Sequence, residues 1–279
     1  MAIANSFRAD IHCHSNCSDG SDAPLEILDK ASKQNLQGLS ITDHDTILAY
    51  TPEFFDKAES LSIRILSGVE ISTELDSTAV HVLGYGFDIE HEGLRQFLQE
   101  IQSFRNNRNR EILKKLSLKN ISISEEELFA FSLKIETKKS IGRPHIAYLM
   151  VQKGYVRSPQ EAFDLYLKDG ASCYVSGFKF TPLQAIEQIH KAKGKAVLAH
   201  PHFIKGGLLL QRLLSLPLDG IECYYGMLNK NQEASWISLA KRKSWIATGG
   251  SDYHGSFKPQ IQLGCSWVDL ATFEALLKR

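Results

Sequence analysis

Short apolar runs alternate along this chain with longer stretches whose apolar residues recur every third or fourth position. Residues 7–11 are an apolar lead that predicts a strand, and residues 15–20, with Asp19-Gly20 among them, predict the loop leaving it. Ser21-Asp22-Ala23-Pro24 opens a helix with a polar cap and a proline in the first turn, and Leu25, Leu28 and Ala31 keep helical spacing behind it. Residues 38–41 predict a second strand that runs at once into Thr42-Asp43-His44-Asp45, and residues 52–61 a second helix. A third strand is expected over 63–69, ending in Glu70, and a fourth over 79–85 with His81 inside it.

From about residue 92 to 180 the pattern becomes helical. Leu94, Phe97, Leu98, Ile101 and Phe104 hold the spacing; Leu128, Phe129 and Phe131 hold it more weakly. Arg143-Pro144-His145 opens one more helix, Ser158-Pro159 caps another, and the first strand signal comes at 171–175. Alternation then resumes. Thr181-Pro182 starts a helix that Gly194 ends, and the all-apolar 196–199 reads as a strand buried on both faces, ending in His200-Pro201-His202. A strand over 219–224, a helix over 229–243, a strand over 245–248 running into Ser251-Asp252-Tyr253-His254, and a helix over 271–277 complete the chain. Strand, polar residue at the strand's end, then helix is the order of a parallel α/β barrel, whose working residues sit at the C-terminal ends of strands. The expected organisation is a barrel from 1–91 and 181–279, interrupted by a helical insert, 92–180, that is too long for a plain loop.

Composition narrows the chemistry. The 279 residues suit one large domain, or one domain with an insert. With 32 basic and 32 acidic residues the formal net charge is zero, which argues against salt-driven binding to long nucleic acid and leaves room for a small anion held by a few local cations. The first six residues contain no apolar signal segment, and no run reaches membrane-span length. Five scattered cysteines, 13, 17, 173, 223 and 265, suggest reduced thiols and a cytoplasmic location.

Candidate ligands collect at the strand ends. Alternate side chains of a strand share a face, so Asp10, His12 and His14 point one way and Ile11 and Cys13 the other. Six of the ten histidines and three carboxylates stand at or near predicted strand ends: His12, His14, Asp19, His44, Glu70, His81, His200, Asp252 and His254. Imidazole with carboxylate and no thiolate suits manganese, iron or zinc in catalytic sites. Nine ligands exceed what one metal can hold, so two or three are expected, linked by a bridging carboxylate such as Glu70. Clustered metals ionise a water and clamp phosphate oxygens, which suits phosphoryl hydrolysis.

Asp10-x-His12-x-His14, Thr42-Asp43-His44-Asp45, Gly68-Val69-Glu70, His200-Pro201 and Ser251-Asp252-x-His254 resemble, in order, the motifs of the polymerase and histidinol phosphatase (PHP) family. The resemblance implies an α/β fold, a distorted (β/α)7 barrel, holding three divalent ions, manganese first and zinc or iron as alternatives. The helical insert, with Gly142-Arg143-Pro144-His145-Ile146-Ala147, resembles the branch of nucleoside 3′,5′-bisphosphate phosphatases and 5′-to-3′ exoribonucleases of short RNA. Carried over motif by motif, it implies one metal on His12, His14, Glu70 and Asp252, a second on Glu70, His81 and His200, and a third on Asp19, His44 and His254. Glu70 and Asp252 then serve catalysis directly. His202 would contact the substrate or leaving group, unless it is a solvent-facing loop histidine. Arg143 and His145 are the expected phosphate grip, since arginine forks onto phosphate oxygens and a helix's first turn favours anions. The implied partners are a small phosphorylated nucleotide or short RNA, without a membrane or long duplex.

Some residues carry a plainer expectation. Asp10, Asp43 and Asp45 are expected to hydrogen-bond ligand histidines before ligating metal themselves. Arg105, Arg108 and Arg110 read as a solvated helix face rather than an oligonucleotide guide. Cys13 is expected to pack. Two other functions remain open: a non-catalytic metal-binding module, which a lost ligand would favour, and a histidinol-phosphate-type phosphatase, against which the insert and its Gly-Arg-Pro-His run argue.

Overall fold

The computed structural model describes residues 7–133, 140–176 and 179–278. Among them, eight strands form two sheets. The first is parallel and holds β1 (Ala9–Cys13), β2 (Gly38–Ile41) and β3 (Arg64–Ile65). The second holds β4 (Gly68–Leu75), β5 (Thr78–Tyr85), β6 (Lys195–Leu198), β7 (Gly220–Tyr225) and β8 (Ile246–Gly250). In it β5 runs antiparallel to β4 and β6, while β6, β7 and β8 run parallel. Backbone hydrogen bonds join the two sheets at two places. Asp252 N–H donates to His12 O at 2.7 Å and His14 N–H to Tyr253 O at 2.8 Å on one side; Asp45 N–H donates to Glu70 O at 3.0 Å on the other. Gly250 permits the first approach, because a Cβ there would lie 2.4 Å from the His12 nitrogen.

The single strand expected over 63–69 is two strands in different sheets. Gly68 is where the chain changes sheet: a Cβ there would meet Ser40 Oγ at 2.1 Å. The Tyr50 hydroxyl fills the break, donating to Ile41 O and accepting from Gly68 N–H at 2.7 Å. Glu70 therefore lies within β4 rather than at the end of a parallel strand. Asp76 and Ser77 both take left-handed φ, 50° and 59°, which closes β4 and β5 into a hairpin instead of a helix-linked pair. Its register sets Glu70 opposite Leu83 and Ser72 opposite His81, so Glu70 and His81 are diagonal neighbours on one face.

Helices α1 (Pro24–Lys33) and α2 (Pro52–Ser60) bury Leu28, Ala31 and Phe54 against Leu39 and Ile41 of the first sheet. Helix α3 (Glu92–Ser117) spans two cores. Leu94, Phe97, Leu98 and Ile101 pack with Val69 and Ile71 of the sheet, whereas Ile112, Leu113 and Leu116 pack with α4 (Glu125–Leu133), α5 (Arg143–Gln152) and α6 (Pro159–Ala162) in an apolar cluster of their own. A π-turn, Phe163–Leu167, follows α6. The strand expected at 171–175 is absent. Its N–H groups are used locally, Ala171 on Lys168 O, Cys173 on Tyr166 O and Tyr174 on Ala171 O, and Cys173 packs into the helical cluster. The remaining helices are α7 (Pro182–Lys191), α8 (Gly207–Leu213), α9 (Lys230–Lys243) and α10 (Leu270–Leu277); α8 has no counterpart in the sequence reading.

The helical region lies over the strand ends that bear the histidines. Gln102 Nε2 donates to Asp45 O at 2.7 Å, Ser140 N–H to Cys17 O at 3.1 Å, and the Tyr148 hydroxyl to Phe257 O at 2.5 Å. Among the described residues no helix is long and apolar enough to cross a membrane.

Candidate metal centre

The structure brings all nine expected ligands together. Glu70 stands in the middle. Its Oε1 lies 2.9 Å from His81 Nδ1 and 2.8 Å from His200 Nε2, and its Oε2 lies 3.4, 3.1 and 3.4 Å from His12 Nε2, His14 Nε2 and His44 Nδ1. Asp252 Oδ1 is 3.6 Å from His12, 3.4 Å from His14 and 3.6 Å from His254. Asp19 reaches His254 at 3.4 Å, His14 at 3.5 Å and His44 at 3.7 Å. Most of these side chains are buried; His81 and His200 are half-buried and open the cluster to the surface. His200 and Asp252 hold left-handed φ, 26° and 57°, a strained backbone of the kind that persists where surrounding structure enforces it.

Burial works against ionising Asp19, Glu70 and Asp252. The surrounding imidazoles, and Lys258 for Asp252, nonetheless hold all three well below the ordinary carboxylate range. Conversely, although burial opposes it, Asp252 and Glu70 push His14 up to about 9, and Glu222 and Glu70 push His12 up as well. His12 Nε2, His14 Nε2 and His44 Nδ1 are buried with no hydrogen-bond partner. Imidazole nitrogens facing three carboxylates, with their lone pairs otherwise unused, form a donor set suited to divalent metals.

The supporting carboxylate is not the expected one. Asp10 accepts backbone N–H groups of Ser251 at 2.9 Å and Gly264 at 2.8 Å, so it ties the strand ends together and touches no imidazole nitrogen. Asp43 accepts from Ser15 and Ser18, and Asp45 from Ser72 N–H and Arg105. The residue that orients a ligand histidine is Glu222 on β7. Its Oε1 accepts from His12 Nδ1 at 2.7 Å, turning Nε2 toward Glu70, and its Oε2 accepts from His200 N–H at 2.7 Å. The sequence reading passed it over, although an acid amid Gly220-Ile221-Glu222-Cys223-Tyr224-Tyr225 was the available signal. Tyr225 and Lys258 were also missed; they donate to Asp252 Oδ2 at 2.7 and 2.8 Å.

Two cavities open above the cluster, sharing Asp19, His44, His81, Pro144 and Phe163. The smaller, about 120 Å³, is lined by Arg105, Arg108 and Arg143. The larger, about 530 Å³, carries Tyr148, Phe203, Phe257 and Lys258. The expected solvated arginine face is thus divided. Arg105 is buried, 2.7 Å from Asp45 Oδ2; Arg108 is half-buried over the cluster; Arg110 alone is exposed, paired with Glu125. Burial and the neighbouring Arg105 and Arg143 push Arg108 down to about 9, which leaves it charged at neutral pH. Arg143 Nη1 donates to Leu167 O and Asp169 Oδ1, while the guanidinium lies 5.5 Å from the Tyr174 ring. His145 is buried and lines neither cavity; its Nδ1 accepts from Gly142 N–H at the start of α5. His202 also lies outside both linings, its ring packed on Phe203 and Tyr225.

A family model described as the PHP domain matches residues 10–169. The chain belongs to the PHP domain family. A 5′-3′ exoribonuclease from Haemophilus influenzae is 32% identical over 266 residues, covering 94% of this chain and 92% of that protein. A 3′,5′-nucleoside bisphosphate phosphatase from Chromobacterium violaceum is 30% identical over 250 residues, covering 88% and 86%. A crystal structure of a protein from Bifidobacterium adolescentis, assigned as a metal-dependent phosphoesterase, superposes with a TM-score of 0.86 at 28% identity, covering 96% of this chain and 95% of that one. PHP membership, together with these relatives, makes the chain a metal-dependent phosphoesterase.

Proposed function

We propose that this PHP enzyme hydrolyses the 3′-phosphate of nucleoside 3′,5′-bisphosphates and, at the same site, trims short 5′-phosphorylated RNA from its 5′ end. The observation that carries the reading is the shared cavity: Asp19, His44 and His81 of the cluster line the same small space as Arg105, Arg108 and Arg143. A substrate with two phosphates uses both halves, one phosphate on the arginines and the other over the cluster. The arginine half has the right chemistry for the 5′-phosphate, and Arg108 takes the place expected of His145 as the companion of Arg143. The names of the relatives fit both substrates.

His12, His14, Glu70 and Asp252 would hold one metal, Glu70 with His81 and His200 a second, and Asp19, His44 and His254 a third. The two faces of Glu70 support its bridging role, since one oxygen meets His81 and His200 and the other meets His12, His14 and His44. Three ions of manganese are the first expectation, and the donor set also accepts zinc or iron. Bound divalent metals supply Lewis acidity and an ionised water near neutral pH. The protein's own residues then fix the substrate. Arg143 and Arg108 hold the 5′-phosphate, and this places phosphorus so that the P–O3′ bond breaks and O3′ leaves with a proton. Residues 92–180 act as a cover on a distorted barrel made by 1–91 and 181–279, a division that the separate apolar cluster of the helices supports. Five free cysteines suit a reducing cytoplasm.

The test compares a nucleoside 3′,5′-bisphosphate with its 3′-monophosphate, for wild type and Arg143→Ala. Losing a forked arginine–phosphate contact costs about 2–3 kcal/mol, so kcat/KM for the bisphosphate should fall roughly 30- to 150-fold. The monophosphate should change far less. Equal wild-type rates on the two substrates would refute the two-phosphate reading.

A further inference from the structure

We infer that the aromatic cavity beside the cluster seats the nucleotide downstream of the scissile phosphate in an RNA substrate; the inference rests on the phosphoesterase reading above. The two cavities differ in size and chemistry. At about 120 Å³ the arginine side has room for a phosphate-sized group and little more, whereas at about 530 Å³ the aromatic side has room for a small organic ligand. No arginine lines the larger cavity among its described residues. Pro144 and Phe163 belong to both walls, so the two form one trough with the cluster beneath its middle.

The rings are presented as stacking surfaces. Tyr148 and Phe257 are stacked at 4.2 Å and 28°, and the Tyr148 hydroxyl is bonded to Phe257 O, so the pair is held rigid. Phe203 remains 57% exposed although His202, His200 and Tyr225 lie 4.2, 5.4 and 5.7 Å from its ring, so part of its face is left open at the cavity wall. Phe163 begins the π-turn, a backbone irregularity often found at functional sites. Aromatic faces of this kind bind bases without regard to sequence, because every base has a π-face.

Direction follows from the covalent structure of RNA. The scissile phosphorus bears O3′ of the first nucleotide and O5′ of the second. With the first nucleotide's 5′-phosphate on the arginines and the scissile phosphate over the cluster, the first nucleoside spans the wall that the two cavities share, and the second nucleotide extends beyond the cluster to the far, aromatic end. Water's oxygen bonds to phosphorus, the P–O3′ bond breaks, and its electron pair stays on O3′, which takes up a proton. The phosphate remains on O5′ of the second nucleotide. Each cut therefore leaves a new 5′-phosphate, the group that the arginine side needs for the next one.

The experiment uses the full-length, metal-loaded enzyme and three substrates: a 5′-phosphorylated dinucleotide, the same compound lacking the second base, and a nucleoside 3′,5′-bisphosphate. Stacking of one base should raise kcat/KM for the intact dinucleotide roughly ten- to hundredfold over the abasic compound. Phe203→Ala and Phe257→Ala, at rings that line the larger cavity alone, should each lower the ratio of dinucleotide to bisphosphate efficiency about tenfold. Equal efficiency on the intact and abasic dinucleotides in wild type overturns the inference, and this arm stands even if a variant fails to fold. Equal proportional losses on dinucleotide and bisphosphate in both variants also overturn it, since the rings would then serve the released nucleotide. Turnover of neither dinucleotide nor bisphosphate would overturn the proposed nucleotide and RNA substrates, and this inference with them.

Discussion

The floor and the roof of this site are built on different terms. The floor is carried by strand ends and adjoining loops, with side chains mostly buried and a backbone fixed by bonds such as Asp252 N–H to His12 O. The roof is carried by helices with an apolar cluster of their own, and it presents Arg105, Arg108 and Arg143 with the rings of Tyr148 and Phe163. The floor holds the groups that any phosphoester needs. The roof holds groups that only some substrates can use. Damage to the floor should therefore abolish turnover of every substrate, whereas damage to the roof should change which substrates are turned over.

The largest expected effect is at Glu70. Its two oxygens face different groups of histidines, so Glu70→Gln should lose more than one metal equivalent. Activity on bisphosphate and RNA alike should fall about 10³-fold or more, the equivalent of several kcal/mol of lost charge stabilisation. Metal analysis of the purified variant checks this, and full metal content would remove Glu70 as the bridge. Asp19→Asn should mainly empty the position shared with His44 and His254. Loss of all metal in that variant would mean that the floor is one indivisible cluster.

The two regions were not equally legible in the sequence. Strand period is 2 and strand ends are punctuated by Gly, Asp and Pro, so His12, His14, His44, His200 and Asp252 could be placed from local pattern. Local pattern failed where a residue's role depends on a distant partner. Glu222 meets His12 across 210 positions, and Asp45 is met by an arginine 60 positions away on α3. Arg105 and Arg108 looked like a solvated face because helical spacing shows which residues share a side, not what that side covers. The sheet change at Gly68 was hidden for the same reason, since it depends on Ser40 and Tyr50.

A second measurement reads the floor alone, by pH. Without metal, although burial opposes it, Asp252 and Glu70 hold His14 up to about 9, so its protonated form is favoured below that pH. A metal needs the neutral ring, so a proton must leave on binding, and affinity should rise with pH until about 9. For one proton the gain from pH 7 to 9 is roughly 50-fold. Calorimetry in buffers of different ionisation enthalpy would show the proton release. A pH-independent affinity would mean that His14 is already neutral in the metal-free protein.

Glu222 tests how far the floor depends on its support. Both of its oxygens accept N–H groups, and glutamine has only one acceptor oxygen to offer. Glu222→Gln should weaken metal binding about 10- to 100-fold, chiefly at the positions served by His12 and His200. The position proposed for Asp19, His44 and His254 should keep its metal. Uniform loss across all positions would indicate a folding defect instead.

The smallest effect is expected at the edge of the roof. Asp169 Oδ1 accepts from Arg143 Nη1 at 2.9 Å, on the side of the guanidinium that also meets Leu167 O, so the carboxylate aims the rest of the fork at the cavity. The pair is partly exposed, with the Asp169 side chain 42% accessible, and such pairs are worth about 0.2–1 kcal/mol. Asp169→Asn should therefore raise KM for the bisphosphate by no more than about fivefold, with kcat unchanged. Its effect should vanish on the 3′-monophosphate, which has no 5′-phosphate to grip, and also in the Arg143→Ala background, because a residue that acts only through Arg143 has nothing left to aim. An additive loss in that double variant, or an equal loss on the monophosphate, would make Asp169 a structural support of the helical cover rather than a guide for the arginine.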